Sequence, residues 1–136
     1  MNYRLLGRSA MRVSELCLGT MTFGTDWGTG SDYETSKQIF DAYANAGGNF
    51  IDTANRYTNG TSETYLGDFL ASDRDHFVVG TKYTLYTRMG DPNFAGNHRK
   101  NMVRALDDSL KRLKTDYVDL LWVHAWDDTM QPDELM

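Results

Sequence analysis

Residues 47–67 read GGNFIDTANRYTNGTSETYLG. Two glycines stop a preceding helix, Phe50 and Ile51 supply a short apolar entry, and Asp52 follows at once. A polar loop then carries Tyr57 before Ser62 and Glu63 open a new helix. The expected sequence of elements is strand, loop, helix, with the strand over Asn49–Thr53. In α/β proteins ligands and chemistry collect where strands end and loops begin. An acid and a phenol five residues apart at such an edge are therefore the first candidates for a site.

Downstream, the helix stripe is Tyr65, Leu66, Phe69 and Leu70, interrupted by Gly67, which is expected to permit a close approach to the sheet. His76–Thr81 is apolar and β-branched and predicts a third strand that delivers Lys82 at its far end. The long loop Tyr83–Gly96 leads to a helix capped by Asn97, with Val103, Leu106, Leu110 and Leu113 as its buried stripe. Lys111, Arg112 and Lys114 near its end read as a solvated face that suits the helix dipole. Tyr117–Trp126 is a fourth strand delivering His124, and Pro132-Asp133-Glu134 announces one more helix.

Upstream, Tyr3–Leu6 and Met11–Val13 flank Gly7–Ala10 and predict a small hairpin within residues 1–15. Leu16–Phe23 predicts the first parallel strand, with Cys17 packed inside it. Ser31-Asp32-Tyr33-Glu34 fits a capping box ahead of a helix carrying Ile39, Phe40, Tyr43 and Ala44. The pattern is thus one α/β domain: a hairpin, then four strand-helix units over residues 16–136. Such units run parallel with right-handed crossovers. Both an open doubly wound sheet and part of an eightfold barrel fit this alternation.

With 136 residues and 40% hydrophobic content the chain has the size of one domain. A net charge of −5 and the lack of a basic stripe argue against nucleic acid as a partner. No stretch approaches the ~20 apolar residues needed to span a bilayer, so a cytoplasmic location is expected. Cys17 is the only cysteine, which excludes an intrachain disulfide. His76, His98 and His124 are too dispersed for a metal site, and Gly28-x-Gly30 lacks the rest of a Rossmann fingerprint.

Strand alternation places Asp52, Lys82 and His124 at successive strand ends, on the rim that also holds Tyr57. Each has a plain structural reading: a loop cap, an edge charge, a core histidine and a half-buried aromatic. Together they make a proton-transfer set. A phenol with an ordinary pKa of ~10 is a poor acid at neutral pH unless its phenolate is stabilised, and an adjacent ammonium does that. Lys82 is placed for this task, Asp52 for holding Lys82, and His124 for donating a hydrogen bond to a carbonyl oxygen.

The stretches LGTMTFG, GGNFIDTANRYTNGTSETYLG, GTKY, GNHRKNMVRALDDSLKRLKTDYVDL and WVHAWD together resemble the aldo-keto reductases, nicotinamide-dependent enzymes on a (β/α)8 barrel. The resemblance implies Tyr57 as general acid, Lys82 and Asp52 as its tuning pair, and His124 as the residue that orients the carbonyl. It implies NADPH or NADH as cofactor, met by Gly19, Thr20 and Met21 after the first strand and by Asp52. Trp27, Tyr86 and Trp126 are the expected lining of the pocket for a small carbonyl substrate. The Ser-Asn pair, glutamine, stacking aromatic and basic cofactor loop of the family's later strands have no counterpart here. The chain is therefore expected to be a partial reductase domain, with the N-terminal hairpin and about the first four units of the barrel. Its open sheet would be covered by a C-terminal half or by self-association. The alternative is a non-catalytic half-barrel that binds or regulates, assembling with itself or a partner. Potassium-channel β subunits are relatives of that kind, but they depart from this chain at His124.

Overall fold

The computed structural model describes residues 1–135. Strands β1 (Tyr3–Leu5) and β2 (Arg12–Ser14) pair antiparallel, with Tyr3 opposite Ser14. The main sheet follows: β3 (Leu18–Gly19), β4 (Phe50–Asp52), β5 (Val78–Tyr83) and β6 (Leu120–Val123). Helices α1 (Tyr33–Asn45), α2 (Thr61–Phe69) and α3 (Arg99–Leu113) connect them, and α4 (Pro132–Leu135) follows β6.

The four strands are parallel and lie in the order β3-β4-β5-β6. This order decides between the two architectures, because a doubly wound sheet reverses its strand order part-way whereas a barrel adds strands in sequence. The packing agrees. Phe40 of α1, Leu66 and Phe69 of α2, and Leu113 of α3 share one buried cluster with Ile51 and Val79. All three helices therefore cover the same face of the sheet. The opposite face carries the row Gly19, Asp52, Gly80 and Leu120, which the register places side by side, and it is the inner wall of a barrel.

Several elements differ from expectation. The first strand is only Leu18–Gly19 rather than Leu16–Phe23, because the chain turns at Thr20, where Phe23 N–H donates to the Thr20 carbonyl at 3.0 Å. Cys17 is exposed rather than packed, since β3 is an edge strand and no helix among the described residues covers its inner face. The third strand starts two residues later than expected and runs through Lys82 to Tyr83, His76 being taken by a short 3₁₀ turn.

Helix caps and stripes shift as well. The N-cap of α1 is Asp32, whose Oδ1 accepts from Thr35 N–H at 2.9 Å, while Ser31 bonds to Ser36. His98 caps α3 through Nδ1, leaving the buried Asn97 to bridge Thr84 and the Ala125 carbonyl. The buried stripe of α3 is Asn101, Ala105, Ser109 and Leu113, with Val103 exposed. Arg112 is not part of a solvated face. It pairs at 2.7 Å with Glu63, which is fully buried and also accepts from Thr81. Gly67 allows a close approach, but to α3 rather than to the sheet: a Cβ there would lie 2.5 Å from the Arg112 carbonyl oxygen.

Candidate active site

Asp52 ends β4, Lys82 lies near the end of β5, and His124 directly follows β6. Side chains alternate across a strand, so Lys82 shares its face with Gly80, and Gly80 lies beside Asp52 in the register. The lysine ammonium is the hub. Nζ lies 2.5 Å from Asp52 Oδ2, 2.8 Å from the Thr53 carbonyl oxygen and 3.0 Å from the Tyr57 hydroxyl. A tetrahedral ammonium has three protons, and each has an acceptor.

Tyr57 opens a short 3₁₀ segment, Tyr57–Gly60, in which Thr58 and Asn59 take left-handed backbone conformations at φ +45° and +58°. A β-branched residue there is strained, and such strain persists only where the surroundings enforce it. The enforcement is visible: buried Thr58 donates its hydroxyl to the Phe23 carbonyl at 2.5 Å and accepts from Ser62 N–H at 3.1 Å. Beneath Asp52, the buried hydroxyls of Thr20 and Thr53 both meet Ser62, at 2.9 and 3.0 Å. Thr20 also donates to the Asp52 carbonyl at 3.1 Å. This hydroxyl cluster ties β3 and β4 to the start of α2, fixing the backbone on either side of the acid.

The His124 ring stands nearly perpendicular to that of Tyr57, at 87° with centroids 5.7 Å apart. Burial lowers the His124 pKa first and the Lys82 charge lowers it further, with Asp52 opposing. The imidazole is neutral at neutral pH. Its Nδ1 is buried with no hydrogen-bond partner among the described residues. A phenol with an ammonium behind it and a neutral imidazole beside it are groups that can donate a proton and a hydrogen bond to one oxygen.

The remaining expected residues are distributed as follows. Gly19 sits on the inner wall with no atom of the described residues within 4 Å of where a Cβ would be, and Met21 is 52% exposed. Thr20 is fully buried, its side chain committed to the hydroxyl cluster. Trp27 and Trp126 are exposed. Tyr86 is held against Arg56, whose guanidinium carbon lies 4.6 Å from the ring centroid and whose Nη2 donates to the Tyr86 hydroxyl at 3.0 Å.

Two features were missed by reading the sequence. Trp122 folds its indole over Gly80, with Nε1 3.0 Å from a hypothetical Cβ at that glycine. Strand alternation carried the signal, because Trp122 lies two residues before His124. Glu63 shares the spacing of the buried residues Leu66 and Leu70, and a charge on a buried stripe implies a partner.

The aldo/keto reductase family model matches residues 15–136. The chain belongs to the aldo/keto reductase family. The norsolorinic acid reductase of Aspergillus flavus is 45% identical over 98% of this chain and 37% of that protein. An aryl-alcohol dehydrogenase [NADP(+)] of Phanerodontia chrysosporium is 41% identical over 93% of this chain and 36% of that protein. This member of the family thus spans well under half the length of the curated relatives that it matches first. Among solved structures, the holo form of aldo-keto reductase AKR11C1 from Bacillus halodurans superposes with a TM-score of 0.86 at 32% identity, over 99% of this chain and 44% of that one. The thermostable aldo-keto reductase Tm1743 gives 0.81 at 28% identity, over 99% and 47%. The sheet described above corresponds to part of their (β/α)8 barrel, and no helix among the described residues is long and apolar enough to cross a membrane.

Proposed function

We propose that this chain carries the acid-base part of an NAD(P)H-dependent oxidoreductase that reduces an aldehyde or ketone to an alcohol. The supporting observation is the Lys82 ammonium, which contacts Asp52 at 2.5 Å and the Tyr57 hydroxyl at 3.0 Å together. Tyr57 gives its proton to the carbonyl oxygen. As negative charge develops on the phenol oxygen, the ammonium beside it stabilises that charge without any rearrangement. Asp52 and the Thr53 carbonyl keep the ammonium in place, and neutral His124 donates a hydrogen bond that orients the substrate oxygen.

A nicotinamide cofactor, when bound, supplies the hydride for the carbonyl carbon. The residues present fit such a group. Gly19 leaves the inner wall open, Met21 is exposed, and Asp52 lies beside Gly19 in the register. Thr20 acts in this reading as a support for the Asp52 backbone. Trp27, Tyr86 and Trp126 are assigned to the mouth of the substrate pocket, where exposed aromatics supply apolar contact. The NADP(+) in the name of the Phanerodontia chrysosporium relative favours NADPH over NADH.

The test is isotopic. The protein carrying this chain is incubated with an aromatic aldehyde and NADPH carrying deuterium at both nicotinamide C4 positions. Deuterium at the carbinol carbon of the alcohol supports hydride transfer, and an unlabelled alcohol or no alcohol rejects it.

One observation favours a second reading, a half-barrel that assembles through its inner wall. Trp122 is 46% exposed on that wall, and Val123 and Trp126 are exposed nearby, so association would bury a sizeable aromatic surface. Sedimentation velocity distinguishes the two readings: a stable monomer of this chain at micromolar concentration rejects assembly with itself.

A further inference from the structure

The outer side of the catalytic rim holds a second, polar cavity of about 270 Å³. It lies between the β4–α2 loop and the β5–α3 loop and is lined by Asn55, Arg56, Asn59, Tyr86, Thr87 and Arg112. Its chemistry does not depend on the nicotinamide reaction.

Three observations at this cavity need a common explanation. Asn55 is only 4% exposed, yet neither its Oδ1 nor its Nδ2 has a hydrogen-bond partner among the described residues. A buried amide left in this state is costly, and both of its polar atoms are closed to solvent, so they sit behind the cavity wall rather than on its surface. Arg56 forms no ion pair with a carboxylate of the described residues. Its guanidinium is instead held in place by Asn59 Oδ1, by the Tyr86 hydroxyl and by the Tyr86 ring. Arg112 spends its Nε on Glu63 at 2.7 Å and its Nη2 on Ser109 at 3.4 Å, leaving Nη1 without a protein acceptor among the described residues. Two cations and one carboxylate thus meet at a pocket whose walls are otherwise neutral.

Solvent screens part of the charge of these half-buried guanidiniums, and the pair with Glu63 still leaves one positive charge in excess at the cavity. A fixed guanidinium fork with a second guanidinium beside it matches the geometry by which proteins hold carboxylates and phosphates. We infer that the cavity formed by Asn55, Arg56 and Arg112 binds a small oxyanion, phosphate or carboxylate, at a site separate from the Tyr57–Lys82 centre. Arg56 directly precedes Tyr57 in the chain, so an anion held there is tethered to the segment that carries the phenol.

Isothermal titration calorimetry with inorganic phosphate, at pH 7 and constant ionic strength, tests the inference on the chain as it stands. One-to-one saturable binding is expected, with a dissociation constant on the order of 1 mM. Arg56→Gln is expected to weaken it at least about tenfold. Arg88→Gln, which removes an exposed cation outside the cavity, is expected to leave it unchanged. A parallel titration with acetate separates the sources: binding of acetate admits carboxylates, and binding of phosphate alone restricts the site to tetrahedral anions. The unmodified chain gives a second measurement that needs no variant, because the Asn55 side-chain amide resonances should shift and saturate with the same constant. Lack of saturation by both anions overturns the inference. So does equal weakening in the Arg56 and Arg88 variants, or an Asn55 amide that does not respond.

Discussion

Lys82 places its ammonium 2.5 Å from Asp52 Oδ2, across neighbouring parallel strands. Both side chains are partly buried, at 15% and 32% exposure, so neither charge is fully screened and neither is fully desolvated. Asp52→Asn leaves the ammonium without its counter-charge and is expected to cost on the order of 1–3 kcal/mol, below the range for fully buried pairs. Adding Lys82→Met to that variant should recover part of the loss, since the uncompensated charge is then gone. Urea unfolding of the single and double variants measures both effects, and strictly additive losses would show that the two residues are uncoupled.

Gly67 is where α2 meets α3. A methyl group there would lie 2.5 Å from the Arg112 carbonyl oxygen and 2.9 Å from the Leu113 carbonyl carbon, and backbone does not yield as a flexible side chain does. Gly67→Ala should destabilise by about 1–3 kcal/mol, although alanine is the better helix former. Denaturant midpoints check this, and a neutral or stabilising effect would mean that the helices have room to separate.

Part of the Cys17 surface is exposed, yet desolvation of the covered part first and the Asp52 carboxylate second push its thiol up to about 11, with Lys82 opposing. Reactivity follows the thiolate. Iodoacetamide at pH 7.5 should therefore modify Cys17 roughly two orders of magnitude more slowly than a free cysteine thiol, and Asp52→Asn should accelerate the reaction. Labelling at the free-cysteine rate would place Cys17 away from the acid.

His124 titrates below the ordinary histidine value, through burial first and the Lys82 charge second. The unfolded chain takes up a proton at about pH 6.5, the folded chain only at lower pH. Between those values the unfolded state binds more protons, so stability falls as the pH drops below about 6.5 and levels off once the folded imidazole is also charged. Urea unfolding at pH 7.5 and 5.5 should show a larger loss for the wild type than for His124→Gln. Equal losses would assign the pH dependence to other groups.

Much of this was legible from residue types. The strand-loop-helix order of residues 47–67 and the ionisable residues at successive strand ends placed Asp52, Lys82 and His124 on one rim, because strand periodicity is insensitive to small errors in strand length. Strand ends themselves were less legible. Leu16–Phe23 is largely apolar, and only the turn bond at Thr20 and the tertiary hydrogen bond from Thr58 to Phe23 show where the chain turns away. Thr58 gives no local sign of a left-handed backbone, since sterics disfavour it and only its partners Phe23 and Ser62 impose it. The same holds for Arg112, whose charge read as solvated until Glu63 was found buried beneath it.

The reading of Tyr57 as the proton donor, with Lys82 stabilising the charge it leaves behind, is tested most directly by the aldehyde-dependent oxidation of NADPH. The protein carrying this chain and its Tyr57→Phe variant are compared at saturating aldehyde. Phenylalanine keeps the ring against His124 and removes only the proton and the oxygen beside Lys82. Turnover should fall by a factor of about 10² to 10⁴, the usual contribution of a positioned general acid. Wild-type turnover in the phenylalanine variant would contradict the assignment.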